Sequence, residues 1–167
     1  MKHFIVIDMQ NGFVSGSLAN PFAKGIISKV KTELEKARAN GDHIIFTRDT
    51  HTEDYLNTLE GKYLPFKHCV EGTDDWQIVD ELKPIEGETV INKPNFGYTA
   101  WDTYIKPGDD VVIVGTVTSI CVVSNALAIK AIGEVEVSVI ANCCADLNEV
   151  NHKAALTVMK SCQCQIK

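Results

Sequence analysis

Reactive side chains in this sequence stand directly after apolar runs. FIVI leads into Asp8, HIIFTR into Asp49 and His51, TVIN into Lys93, and DVVIVGTVTSI into Cys121. A thiolate at Cys121 could act as a nucleophile, and a carboxylate such as Asp8 at the end of an apolar strand is costly unless it is paired or useful. Each residue also has an ordinary structural alternative. Cys121 also reads as a buried free thiol at a strand–helix junction, Asp8 as a capping or hydrogen-bonded structural carboxylate, and Lys93, ahead of Pro94, as an ordinary surface lysine, which base rates favour. Cys121 is expected in the first turn of a helix. Partial positive charge there lowers a thiol pKa, and free N–H groups can hold an oxyanion.

Asp49, His51, Glu60 and His68 form a second group. Asp-x-His in an extended segment can point two ligands the same way. Two imidazoles with two carboxylates suit Zn, Mn or Fe(II) in an open site. Without cysteine ligands it is not a closed structural site. The alternative is a scatter of polar loop residues. The other cysteines form no CxxC pair. Cys143-Cys144 and Cys162-x-Cys164 could bind metal or form a redox pair, but the structural reading is favoured, with Cys162 and Cys164 expected as small apolar packing residues on one face of a last strand. His3, His43 and His152 are expected at the surface or at strand ends.

These residues need a scaffold. Apolar runs predict strands over 3–9, 43–47, 89–92, 110–115 and 135–141, with CQCQI as a sixth. Periodicity predicts helices over 23–39, 75–83, 99–105, 120–132 and 149–160, and a long loop from 48 to 73. Strands alternating with helices imply an α/β fold: a doubly wound, mainly parallel six-stranded sheet with helices on both faces. Sites in such sheets lie beyond the carboxyl ends of the strands, so the residues above should gather along one edge.

The net charge of −6 and the lack of a basic patch argue against nucleic-acid binding. No apolar run approaches the ~18 residues of a membrane span, and the opening lacks the features of a signal peptide. A cytoplasmic protein is therefore expected. A binding module of flavodoxin-like type is the alternative of another class. It would need a phosphate-binding glycine loop after strand one, where MQNGFVSGSLAN shows no such pattern.

Taken in order, FIVIDMQNGF, FTRDTH, KHCVEGT, NKPNFGYTAW and VGTVTSICVVSNALAI resemble the isochorismatase-like cysteine hydrolases over nearly the whole chain. The Asp49–His51 loop is most similar to the nicotinamidase/pyrazinamidase branch. The resemblance implies one hydrolase domain over 1–167 and a triad of Asp8, Lys93 and Cys121. It implies a non-proline cis peptide between Thr116 and Val117 that aims the Val117 N–H, with that of Cys121, at the oxyanion. It implies a divalent metal, zinc foremost with manganese or iron as alternatives, on Asp49, His51, Glu60 and His68. Phe13 resembles an aromatic wall of the substrate pocket, with Phe96 and Tyr98 as further candidates. The implied reaction is nicotinamide to nicotinate and ammonia through a thioester on Cys121, a step of NAD salvage, in a homo-oligomeric enzyme. There are departures. Ser119 stands where the family often has Asp, and Pro65-Phe66-Lys67 precedes His68 where nicotinamidases tend to carry an aromatic and prolines. The chain is also short for the branch. Lys67, expected beside the pocket, and Ser119 favour the alternative of a metal-independent relative acting on another small amide or ureido compound.

Overall fold

The computed structural model describes residues 1–167. Six strands form one all-parallel sheet: β1 (Lys2–Ile7), β2 (His43–Asp49), β3 (Thr89–Lys93), β4 (Asp110–Thr116), β5 (Glu136–Ala145) and β6 (Gln165–Ile166). Their order is β3-β2-β1-β4-β5-β6. The chain winds outward from β1 through β2 and β3, then returns to lay β4 on the other side of β1. The switch point therefore lies between β1 and β4, where ligand crevices form in open α/β sheets.

Alternation along β1 explains the two-sided core. Ile5 and Ile7 join one cluster with Val122, Ala126, Ile129 and Met159. Phe4 and Val6 join the other with Val30 and Leu34. The latter residues belong to α2 (Pro21–Ala39), which buries Ala23, Ile26, Val30, Leu34 and Ala37 at helical spacing. Asn20 caps α2 by accepting the Phe22 N–H, and Pro21 occupies the first turn, where a missing N–H costs nothing. The remaining helices are α1 (Asn11–Val14), α3 (Leu59–Tyr63), α4 (Val123–Lys130) and α5 (Glu149–Ser161). None is long and apolar enough to cross a membrane.

Several local expectations need correction. No helix forms over 75–83. The Asp75 and Gln77 carbonyls accept the N–H groups of Gly12 and Asn11, and the Val79 N–H donates to the Met9 carbonyl. Backbone groups bonded to the segment after β1 cannot also bond along a helix. Only one 3₁₀ turn, Asp80–Leu82, remains. The helix expected over 99–105 shrinks to a turn at Trp101–Thr103. The long loop contains a 3₁₀ turn at Tyr55–Asn57 and then α3. Cys162 and Cys164 share no strand: Cys162 ends α5 and is exposed, whereas Cys164 is buried. His3 is fully buried, and His152 contacts the Thr118 hydroxyl at 2.9 Å.

Candidate active site

Asp8 lies one residue past β1, and its φ of 47° turns the chain away from the strand direction. Aspartate tolerates this left-handed region better than most residues. Thr47, inside β2, accepts the Asp8 N–H at 3.2 Å and donates its hydroxyl to Asp8 Oδ1 at 2.6 Å. Lys93 ends β3 in register with Asp49 at the end of β2. Its Nζ sits 2.6 Å from Asp8 Oδ2, 3.5 Å from Asp49 Oδ1 and 3.6 Å from Cys121 Sγ. One ammonium therefore bridges carboxylate and sulfur, and Asp8, Lys93 and Cys121 meet at one rim of the sheet.

All three groups are buried. Burial pushes the Cys121 thiol up, against the pull of Lys93, and the Asp8 carboxylate pushes in the same direction as burial. The expected lowering by a helix N-terminus does not prevail, because desolvation and the neighbouring carboxylate outweigh it. Burial likewise raises Asp8, opposed by Lys93. For Lys93, burial alone would favour the neutral amine, but Asp8, Cys121 and Asp49 hold the proton in place.

Cys121 rides on a π-helical turn, Thr118–Val122, which precedes α4 rather than belonging to its first turn. Such turns recur at functional sites. The Thr116–Val117 peptide before it is cis. Gly115, at φ 127°, sits where a Cβ would collide with the Ile7 carbonyl, so only glycine fits. The Val117 N–H donates to no protein acceptor, and Val117 and Cys121 line the same cavity.

Asp49, His51, Glu60 and His68 each offer one ligand atom, all within 4.8 Å of one another. His51 Nε2 is 3.1 Å from Asp49 Oδ2 and 3.7 Å from Glu60 Oε1; His68 Nε2 is 3.5 and 3.7 Å from the same atoms. Glu60 is placed by α3, which Thr58 caps by accepting the Gly61 N–H at 3.0 Å. His68 Nδ1 bonds the Phe66 carbonyl at 2.8 Å. That oxygen can only accept, so Nδ1 carries the proton and Nε2 turns its lone pair inward, as a ligand would. Asp49 Oδ1 is buried without a hydrogen bond. Burial and then the Asp49 charge push the Glu60 carboxyl up. Two converging carboxylates, two inward-facing imidazole nitrogens and an unsatisfied oxygen fit a divalent cation.

Cys121 of the triad and Asp49, Glu60 and His68 of the quartet line one cavity of about 380 Å³. Phe13, Leu18, Leu64, Phe96, Ile120 and Leu147 form its apolar lining, and Asp49, Glu60 and His68 lie on one side. Tyr98, expected at the substrate, is absent from this lining. It stacks edge-on against Trp101, with ring centroids 5.4 Å apart. Lys67 is not in this lining: it pairs with Glu53 at 2.8 Å, in an adjoining cleft that shares Ser17 and His68 with the cavity.

The Isochorismatase domain family matches residues 2–166. The chain belongs to the isochorismatase family. Within it, the chain is 28% identical over 155 residues to the ureidoacrylate amidohydrolase RutB of Agrobacterium fabrum, covering 72% of this chain and 66% of that one. It thus spans just under two thirds of that relative's length. It is 26% identical over 180 residues to the nicotinamidase of Saccharomyces cerevisiae, covering 80% of this chain and 83% of the other. Among solved structures it resembles the pyrazinamidase of Pyrococcus horikoshii in complex with zinc, with a TM-score of 0.85, 26% identity, and coverage of 99% and 98%. The all-parallel six-stranded sheet is the one shared by its isochorismatase-like neighbours.

Sequence reasoning missed the residues that hold this family member's site in place. Gln10 accepts the Asp49 N–H at 2.7 Å and donates to the Asp49 carbonyl at 3.0 Å. Tyr55 backs both histidines, with ring centroids 4.6 and 4.9 Å away. Burial, with the Glu60 and Asp49 charges, pushes its phenol up to about 12. Asp146, just past β5, accepts the Ser119 N–H at 2.6 Å. A carboxylate thus reaches the nucleophile turn although position 119 itself is serine. Only Gln10 carried a signal: it stands two residues past Asp8, in the segment that directly follows the apolar run of β1.

Proposed function

We propose that this chain is a cysteine amidohydrolase that converts nicotinamide to nicotinate and ammonia through a thioester on Cys121. One observation carries the reading: the Lys93 ammonium stands between Asp8, Cys121 and Asp49, and the Cys121 thiol lines a single, largely apolar cavity together with Asp49, Glu60 and His68.

Asp8 takes the Cys121 proton as sulfur attacks the amide carbon, forming the S–C bond. Lys93 keeps the carboxylate ionised until that moment and faces the developing charge. The free Val117 N–H and the Cys121 N–H receive the oxyanion, each donor being worth about 3 kcal/mol in measured systems. The C–N bond then breaks, and Asp8 returns its proton to the departing ammonia. Water, deprotonated by Asp8, cleaves the thioester and frees the acid. Asp49, His51, Glu60 and His68 would hold a divalent cation, zinc foremost, which when bound supplies a Lewis-acidic anchor for a lone pair on the substrate ring. Phe13 and Phe96 flank the ring and exclude water.

The cavity lining bears on the ureido alternative. It contains no lysine or arginine. The carboxylate of a ureido acid would find no cationic side chain in the lining itself, whereas a neutral aromatic amide needs none. Ammonia release from nicotinamide, assayed with and without chelator, tests the proposal. Release that falls on chelation and returns with zinc is expected. Release from ureido acids but not from nicotinamide would overturn it.

A further inference from the structure

Asn125, in the first turn of α4, is fully buried, and every hydrogen-bonding position of its side chain is filled. Oδ1 accepts the Tyr98 N–H at 2.8 Å and the Trp101 indole N–H at 3.0 Å. Nδ2 donates to the Cys121 carbonyl at 2.7 Å and the Phe96 carbonyl at 3.0 Å. A side-chain amide has two donor hydrogens and two acceptor lone pairs, so none is left over. The partners demand this pattern, since two are carbonyls that only accept and two are N–H groups that only donate.

These four bonds join the nucleophile's own peptide to the segment that follows Lys93. The same two pieces of chain are already linked by the Lys93 ammonium, which donates to the Asn95 carbonyl at 3.2 Å and to Cys121 Sγ at 3.6 Å. The reactive contact and the amide clamp thus run side by side. Trp101, 1% exposed, roots the clamp in the core. Close packing continues at Gly97, where a Cβ would stand 3.4 Å from that of Ser124.

We infer that Asn125 is a positioning residue that sets the Cys121 sulfur against the Lys93 ammonium. It touches neither substrate nor the reacting atoms. The inference rests on the reading of Cys121 as nucleophile. A purely structural Asn125 would stabilise the start of α4 without affecting the thiol, and the test separates these roles.

Asn125→Ala removes the clamp. Asn125→Asp keeps the acceptor side but turns an oxygen toward two carbonyls. Ile129→Ala, in the core on the same helix and bonded to nothing in the site, is the stability control. Three quantities are read: melting temperature, kcat and KM for ammonia release, and the alkylation rate of Cys121 by iodoacetamide at one pH, followed by peptide mapping. Both Asn125 variants should lose about tenfold or more in kcat, with a smaller change in KM and a several-fold change in Cys121 alkylation. Ile129→Ala should lower the melting temperature alone. Asn125 variants that behave like Ile129→Ala, less stable but unchanged in kcat and alkylation, would overturn the inference. If Asn125→Ala does not fold, Asn125→Ser, which keeps a donor for the Cys121 carbonyl, takes its place, with an intermediate loss expected and full activity overturning it. The alkylation arm needs no substrate. A shift there in a protein that turns over no amide would sink the proposed reaction and leave the positioning role standing.

Discussion

β1 carries a buried polar network at each end, and the two are built to opposite rules. At its start, His3 Nε2 bonds Asp109 Oδ2 at 3.0 Å, its Nδ1 meets His43 Nδ1 at 3.1 Å, and His43 Nε2 meets the Thr89 hydroxyl at 3.2 Å. Asp109 also takes the N-terminal ammonium at 2.5 Å and the Lys106 N–H at 2.8 Å. Each of these side-chain atoms has a partner, and the network closes on itself. Just past the other end, Asp8 Oδ2 and Asp49 Oδ1 are buried with no aligned hydrogen bond, although Lys93 lies against both. Buried polar atoms are almost always satisfied. A closed network ties strand ends together, whereas in the proposed reaction the open one supplies acceptors for a thiol proton at Asp8 and for a cation at Asp49.

The contrast breaks most sharply at the nucleophile. Cys121→Ala should cut ammonia release on the order of 10⁴-fold or more while the melting temperature falls by only a few degrees. Activity assays beside thermal denaturation check both halves. Next comes Asp8→Asn, which keeps the left-handed backbone that asparagine also tolerates. It should lower kcat by about 10²–10⁴-fold. It should also destabilise by roughly 3 kcal/mol, because Lys93 loses its nearest counter-charge. Adding Lys93→Met should return much of that stability and none of the activity. A double variant that regained activity would make the pair structural. Glu60→Gln sharpens the division inside the open network. It should reduce zinc retention about 10–100-fold, read from metal content after dialysis, and leave Cys121 alkylation unchanged.

The closed network should answer only in stability. The N-terminal ammonium first, then the Lys106 N–H, hold the Asp109 carboxyl well below the usual carboxylate range. A depressed folded-state pKa contributes stability that is fully present above the unfolded value of about 4 and is lost as pH falls through the folded value. Asp109→Asn should therefore lower the melting temperature by a few degrees near neutrality, flatten its decline in acid, and leave kcat untouched. An acid limb as steep as the parent's would show that the carboxylate carries no such charge stabilisation.

Much of the open end was legible in the sequence because its parts follow strands. The apolar runs ending at Asp8, Asp49 and Lys93 are local signals, and a parallel sheet must bring such ends to one edge. Glu60 and His68 were legible only as donor chemistry, since α3 and the loop around it follow no strong period. The closed end was not legible. His3 and His43 read as unpartnered because Asp109 lies more than 100 positions away from His3, and only the β1–β4 register joins them. The helix expected over 75–83 failed for a similar reason, as its backbone bonds go to residues 9–12. Tyr98 was read as a pocket residue from its place in a motif, but its ring turns to Trp101 instead.

The most direct measurement stops the reaction with acid during turnover of nicotinamide and maps the peptides by mass spectrometry. A thioester is predicted on the peptide carrying Cys121, its mass increased by one nicotinoyl group and restored by hydroxylamine. Steady ammonia release with that peptide unmodified, or with the acyl group on another residue, would contradict the assignment of Cys121 as nucleophile.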